Sequence, residues 1–274
     1  MLIAQITDPH IGLDPGPLAS RLDPQGGLRR ALAHVRTLQP AVDVLLLTGD
    51  LADSGRPQDY AEIAALLADT LPTPSEGGPR VLAVPGNHDL RAHARQALAT
   101  AMPVAPDAPG DCVCLHVEHG GLHLIGLDTV VPGAAHGALA ADQLAWLQRH
   151  LAACAGAPVL IFMHHPPLVS GMAAMDACGL LRGRAELARL VAAHGGVQAI
   201  AAGHLHRPIV GQLGGAPVVV APSSSHQLAL DLRAEAPVAI CFEPPMIGVY
   251  RWTAEDGLAC HLSYVDPFGP SHPI

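Results

Sequence analysis

Five short stretches gather histidine, aspartate and asparagine: Asp8-Pro9-His10, Gly49-Asp50, Gly86-Asn87-His88-Asp89, His164-His165-Pro166-Pro167 and Gly203-His204-Leu205-His206. Each follows an apolar run: LIAQIT, VLLLT, VLAVP, VLIFM and VQAIAA, in that order. Imidazole, carboxylate and amide oxygen are metal donors, and the glycines ahead of Asp50, Asn87 and His204 permit tight turns or close backbone approach where a ligand must be presented. Side chains at i and i+2 of an extended stretch point the same way, so Asp8 with His10, and His204 with His206, are expected to offer paired donors. The resulting set is Asp8, His10, Asp50, Asn87, His164, His204 and His206. Seven donors are too many for one tetrahedral ion and suit two ions sharing a bridging carboxylate. A thiolate-free mixture of N and O donors selects Mn, Fe, Co or Zn over calcium and magnesium.

These donors meet only if the runs before them end on a common rim. Apolar runs over residues 2–7, 42–48, 80–84, 158–163 and 197–202 predict strands, several nearly continuous in apolar residues as strands buried on both faces are. Segments with apolar residues at helical spacing, 26–38, 57–70, 89–101, 140–154 and 184–194, alternate with them and predict an α/β fold with a largely parallel central sheet. Ligands bind outside the carboxyl ends of strands in such a sheet, which brings the five loops together. The runs at 112–119 and 122–128, joined at Gly120–Gly121, read as an antiparallel hairpin. Beyond about residue 208, PIVGQL, PVVVA, VAICFE, MIGVYRW and LACHLSYV predict a second, more antiparallel sheet. The tail DPFGPSHPI, with three prolines, is expected to run over the surface without regular structure.

Composition narrows the chemistry. All 15 basic residues are arginine, which excludes a phosphate-loop lysine, a Schiff base and a serine–lysine dyad. A formal charge of -9 gives no basic footprint, so small substrates are expected rather than a nucleic-acid polymer. The six cysteines form no C-x-x-C pair and read as buried free thiols in a reducing compartment. No basic leader and no apolar run near ~18 residues precedes or interrupts the chain, so the expectation is a soluble cytoplasmic protein without a membrane partner. No G-x-S-x-G elbow accompanies Ser54 or Ser223, Ser224 and Ser225, which argues against a serine hydrolase.

In this order D-x-H, G-D, G-N-H-D, H-x-P and G-H-x-H resemble the calcineurin-like metallophosphoesterases, over roughly residues 1–210. The resemblance implies a four-layer α/β/β/α sandwich of two mixed sheets flanked by helices. It implies two divalent or mixed-valence ions, Mn and Fe foremost, with Zn or Co as alternatives. Asp8, His10 and His206 would hold one ion, and Asn87, His164 and His204 the other, with Asp50 bridging. His164 rather than His165 is chosen because the family's ligand is the first residue of H-x-P. Such ions, about 3.5–4 Å apart, lower the pKa of a bridging water from about 15.7 towards 7 and clamp phosphate oxygens for in-line attack by the resulting hydroxide. The family's G-N-H-D histidine faces substrate, so the catalytic set is His88, Asn87 and Asp50, with His88 stabilising the transition state or protonating the leaving alkoxide. Asp89 then supports the site or caps a helix.

DPHIG, GRPQDY, FMHHPP and PSSSHQ most resemble bacterial class III cyclic nucleotide phosphodiesterases and related glycerophosphodiesterases. The expected substrate is a small phosphodiester, first a 3′,5′-cyclic nucleotide such as cyclic AMP, then glycerophosphodiesters or a broader range including monoesters. A non-catalytic metal-binding protein is the rival from another class. Residues 1–274 are read as one domain, with 210–274 completing the second sheet and capping the site, and the unpaired edges there suggest a homo-oligomer. His34, His93, His116, His119, His123, His136, His150, His194, His261 and His272 are read as surface or core residues. Asp14 and Asp53 are read as solvated or capping, with support of the ligands as the lesser alternative, Arg56 and Arg207 as solvated with a phosphate contact as theirs, and the roles of His165 and His226 stay open.

Overall fold

The structure, a computed structural model, describes residues 1–274 apart from 15, 19, 268, 270, 271, 273 and 274. In chain order its strands are β1 (Leu2–Ile6), β2 (Val44–Thr48), β3 (Arg80–Val84), β4 (Leu115–His119), β5 (Leu122–Leu127), β6 (Gly137–Ala138), β7 (Val159–Met163), β8 (Leu180–Arg182) and β9 (Val197–Ala202). They continue with β10 (Ile209–Leu213), β11 (Ala216–Val220), β12 (Gln227–Leu228), β13 (Ile240–Cys241), β14 (Met246–Thr253) and β15 (Gly257–Tyr264). The helices are α1 (Pro24–Thr37), α2 (Pro57–Thr70), α3 (Arg91–Ala97), α4 (Ala141–Ala153), α5 (Ala173–Asp176) and α6 (Arg184–His194).

Two mixed sheets form the frame, ordered β15-β14-β1-β2-β3 and β10-β11-β9-β7-β5-β4. β1, β2 and β3 run parallel, as do β5, β7, β9 and β11, so their carboxyl ends share one rim. Three apolar layers hold four structural layers together. Leu28, Leu32, Ile63 and Leu66 pack α1 and α2 on the first sheet; Ile3, Leu46, Leu124, Leu160 and Phe162 fill the space between sheets; Trp146, Leu147, Leu187 and Val191 pack α4 and α6 on the second. This is the expected α/β/β/α sandwich. β1, β2 and β7 are buried at every residue, the reason for their unbroken apolar runs.

The exception inside β1 is Gln5, wholly buried. Its amide donates to Thr48 Oγ1 and to the Ala202 carbonyl of the opposite sheet, both at 2.8 Å, and its oxygen accepts from Tyr250 at 2.6 Å. A fully satisfied polar group thereby joins the sheets just below the rim.

Several elements differ from expectation. The strand-rich C-terminal part builds no second large sheet of its own: β10 and β11 extend the second sheet, β14 and β15 add to β1 in the first, and only β12 and β13 pair separately as a short two-stranded ribbon. β1 otherwise leaves an open edge opposite β2, and MIGVYRW fills it with both faces buried, Ile247 towards the helices and Tyr250 and Trp252 between the sheets. The hairpin's first strand begins at Leu115 rather than residue 112, because the Val113 N–H is taken by the Asp128 carboxylate at 2.9 Å. The helix expected over 89–101 shrinks to α3, since Asp89 does not cap it: Leu90 is the N-cap and Asp89 is committed elsewhere. All six cysteines are free, but only Cys114 and Cys154 are buried; Cys260 is exposed. Of the tail expected without regular structure, residues 268, 270, 271, 273 and 274 lie outside the described residues.

Candidate metal centre

The seven expected donors meet where the two sheets' carboxyl ends face each other, but not by strand alternation. Among the described residues, the non-glycine positions with positive φ are Asp8 (52°), His10 (48°), Asp50 (46°), His204 (70°) and His206 (48°). The left-handed region is strained for such residues, and here it coincides with five of the seven donors. The D-x-H and H-x-H pairs therefore converge through a turn of the backbone beyond the strand, not through the i, i+2 geometry expected of an extended chain.

Loop-to-loop hydrogen bonds hold that geometry. Asp8 N–H donates to the Gly49 carbonyl at 3.1 Å and His10 N–H to the Asp50 carbonyl at 3.0 Å, while Gly203 N–H reaches the His164 carbonyl at 3.0 Å. Ser223 Oγ–H donates to the Asp8 carbonyl at 2.7 Å. Thr7 Oγ1–H donates to Asp8 Oδ2 at 2.6 Å, and the His204 N–H reaches the same oxygen at 3.0 Å. Glycine is required by close approach: a Cβ on Gly203 would collide with Thr7 Oγ1 and Asp8 Oδ2, and one on Gly86 with the Asp50 carboxylate.

One cluster joins Asp8, His10 and His206, with donor atoms within 4.8 Å of one another. The Nε2 atoms of His10 and His206 are 3.2 Å apart. His206 Nδ1–H donates to the His226 carbonyl at 2.9 Å and His10 Nδ1–H to Asp53 Oδ1 at 3.1 Å. Both Nε2 lone pairs consequently face each other, with Asp8 Oδ1 3.3 Å from that of His206. Converging acceptors with no donor between them fit a cation.

The second cluster repeats the arrangement. His164 Nδ1–H donates to the Thr48 carbonyl at 2.9 Å, turning Nε2 towards Asn87 Oδ1 at 3.1 Å and Asp50 Oδ2 at 3.3 Å. His204 lies beside it, ring centroids 5.1 Å apart, with Nε2 3.6 Å from Cys178 Sγ. Asp50 faces both clusters, since its Oδ2 is also 3.8 Å from His10 Nε2.

Electrostatics agree. Burial opposes ionisation of Asp8 and Asp50, but the imidazoles facing them overcome it, His206 and His164 for Asp8, His164 and His10 for Asp50. Both carboxyls are held well below the usual carboxylate range. Burial alone would depress His164, yet Asp50 and Asp8 lift it to about 9, and Asp8 lifts His206. Burial, with His164 alongside, pushes His204 down to about 3.

His88 is the exposed member, with 40% of its side chain accessible. Its N–H donates to Asp50 Oδ1 at 2.9 Å and its Nδ1–H to the Asp53 carbonyl at 2.7 Å, so a proton on Nε2 makes it an imidazolium. A cleft of about 390 Å3 opens above the clusters, lined by His10, Asp50, Asn87, His88, His204, His206 and His226 and walled by Leu13, Leu18, Leu22, Val238 and Ile240. No arginine lines it. Arg56 is spent on Asp59 and Gly12, and Arg207 on Leu228 and Glu243.

The open questions resolve by contact. His165 is wholly buried, with Nδ1 2.7 Å from Thr129 Oγ1 and Nε2–H donating to the Ala135 carbonyl, so it braces the site and has no lone pair to spare. His226 lines the cleft, with its ring 4.6 Å from that of His206. Asp89 accepts from the Leu51, Ala52 and Gly86 N–H groups and from Tyr60, clamping the second and third loops together. Sequence reasoning missed Cys178 and the Asp128-Thr129 pair, and gave Asp53 support of the ligands only as the lesser alternative. Asp53 sits three residues beyond Asp50, and Asp128 directly follows β5, so position at the shared rim was the available signal.

Two buried clusters of carboxylate and imidazole, joined by one carboxylate beneath a cleft that carries no arginine, define a metal-dependent phosphoesterase. Residues 1–208 match the calcineurin-like phosphoesterase family, to which the chain belongs, and that family uses a dinuclear metal site. The chain is 32% identical over 275 residues to a probable glycerophosphodiester phosphodiesterase GpdQ of Arcobacter nitrofigilis, covering 100% of this chain and 97% of that one. It is 34% identical over 233 residues to a cAMP/cGMP dual specificity phosphodiesterase of Mycobacterium tuberculosis, covering 85% and 70%. A dimetal phosphatase from Danio rerio shares the fold, with a TM-score of 0.64 at 16% identity over 97% of this chain and 99% of that one.

Proposed function

We propose that the chain hydrolyses a small phosphodiester, a 3′,5′-cyclic nucleotide such as cyclic AMP first among them. Asp8, His10 and His206 would hold one ion and Asn87, His164 and His204 the other, with Asp50 facing both groups. The observation that supports this substrate is the cleft itself: leucine, valine and isoleucine walls beside the clusters suit a flat, weakly polar base better than glycerol. Glycerophosphodiesters are the second reading, favoured by the match along the whole chain to the Arcobacter nitrofigilis relative.

Two ions, Mn or Fe foremost, supply a water deprotonated near neutral pH and positive charge for the phosphoryl oxygens. The chain has no lysine, and no arginine lines the cleft, so its own residues contribute little cationic charge there. His88 is the exception: an Nε2 proton on its ring stabilises the phosphoryl oxygens and passes to the leaving alkoxide as the P–O bond breaks. Asp53 holds both His10 and His88 in orientation. The β12–β13 ribbon, with Val238 just ahead of β13, caps the cleft from the C-terminal part of the single domain. Six free thiols favour the cytoplasm; no helix among the described residues is long and apolar enough to cross a membrane. A homo-oligomer through the β15 edge completes the proposal, and a concentration-independent monomer mass by light scattering would remove that part.

The test is hydrolysis of cyclic AMP, a nitrophenyl phosphodiester and its monoester by chelator-stripped protein before and after Mn. Metal-restored cleavage of both diesters over the monoester is expected. Diester cleavage that spares cyclic AMP would shift the substrate to glycerophosphodiesters, and no metal-dependent turnover would favour a non-catalytic metal-binding protein.

A further inference from the structure

A second group of metal-donor side chains lies on the opposite side of the second sheet from the first. His116 on β4 and His123 on β5 project from one face of the hairpin, where α4 lays Cys154, just past its end, against them. One donor atom from each of His116, His123 and Cys154 lies within 4.8 Å of the others. His116 Nε2 and His123 Nδ1 are 2.9 Å apart. The far side of His116 is already arranged as a ligand's would be: its Nδ1 is 2.8 Å from His150 Nδ1, and His150 Nε2 is 3.1 Å from Asp107 Oδ1. With His150 Nε2–H given to the carboxylate, His150 Nδ1 accepts from His116 Nδ1–H, and His116 Nε2 is left with its lone pair facing His123. A ligating histidine usually gives its other ring N–H to an outer acceptor that fixes its tautomer; here that acceptor is His150, itself held by the Asp107 carboxylate.

We propose that His116, His123 and Cys154 bind one further transition-metal ion, zinc being the best match, separate from the central pair. Two imidazoles and a thiolate form a borderline-soft set that prefers zinc, and bond lengths of about 2.0–2.3 Å place tetrahedral ligand atoms about 3.3–3.7 Å apart. Small rotations of His123 and Cys154 reach that spacing. Cys154 is buried and both histidines are partly exposed, so a fourth position would be open to solvent on the histidine side. Burial, with His150 and His123 as neighbours, pushes His116 down to about 4 and keeps its lone pair available at neutral pH. Binding replaces the Cys154 thiol proton, now directed at the His150 carbonyl at 3.1 Å, and releases it to solvent.

The experiment counts ions by elemental analysis in chelator-stripped protein reloaded with zinc, and reads the thiolate-to-metal absorption after reloading with Co(II). Native protein is expected to hold one ion more than His123→Ala and Cys154→Ser. The thiolate band is expected to vanish in Cys154→Ser, with diester hydrolysis unchanged in both variants. Equal ion counts in native and variant proteins, or a thiolate band that survives Cys154→Ser and so belongs to Cys178, would overturn the site. The difference of one ion does not depend on how many the central clusters hold.

Discussion

Asn87 contributes the one neutral oxygen of the donor set, and its loss removes a ligand without touching the core. Asn87→Ala should keep the wild-type circular dichroism and lose at least about 100-fold in turnover at limiting Mn, because losing even an outer partner of a ligand costs 10–100-fold. Wild-type rates under that condition would remove Asn87 from the set. Asp53 makes a subtler case: 19% of its side chain is exposed, and at the lining of the cleft its Oδ1 lies 3.1 Å from His10 Nδ1. Asp53→Asn should weaken metal affinity about 10-fold or more by loosening His10, read as a shift of the Mn activation curve with saturating kcat retained.

The same residues give a pH signature to metal-stripped protein. His164, raised to about 9, and His206, raised likewise, are protonated in the fold above pH 6.5 while an unfolded chain's imidazoles are not. Their contribution to stability is present below pH 6.5 and disappears as pH rises towards 9. The depressed imidazoles of His204, His226 and His116 are neutral in the fold, and above about pH 7.5 they are essentially neutral in the unfolded chain as well, so they add little slope there. Tm of stripped protein should therefore fall from about pH 7.5 to 9. Added Mn should bind more tightly over the same range, because each ligand proton must leave first; a flat Tm profile would contradict the carboxylate–imidazole pairing.

At the scale of elements, the site depends on loops whose backbone is strained and on neighbours small enough to allow it. Gly203 sits at the end of β9, where a methyl group would displace Thr7 and Asp8 together. Gly203→Ala should destabilise the protein by about 1–3 kcal/mol in urea unfolding, as overpacking a close contact does, and should raise the Mn needed for activity. A mutant as stable as wild type would mean that the loop relaxes without cost. The C-terminal strands act differently. β10 and β11 lengthen the second sheet, β14 and β15 the first, and the short ribbon between them overhangs the cleft with Val238 and Ile240.

For the whole molecule, binding and chemistry are divided between two regions of sequence. Residues up to His206 carry every donor, while Val238 and Ile240, both largely exposed, form part of the wall over them. Val238→Ala with Ile240→Ala should raise KM for cyclic AMP about tenfold, equivalent to about 1.4 kcal/mol of lost apolar contact, with kcat and metal affinity unchanged. An unaltered KM would place the base elsewhere, for example in the neighbouring cleft of about 570 Å3 that shares Asn87 and His88.

Which donor side chains gather at the rim, their order along the chain and the parallel strands before them could be read from sequence, because donor chemistry and apolar runs buried on both faces are properties of short segments. His164 and Asp8 were recognisable for that reason. Three things were settled only in three dimensions. The left-handed turn at Asp8, His10, His204 and His206 is imposed by hydrogen bonds from other loops, so extended alternation misjudged how the pairs converge. The split of the last strands between two sheets depends on which edge was left open, which no local pattern encodes. Asp53 joined His10, and His116 joined His123 and Cys154, through packing between residues distant in sequence, and contacts of that kind exist only once the layers have closed.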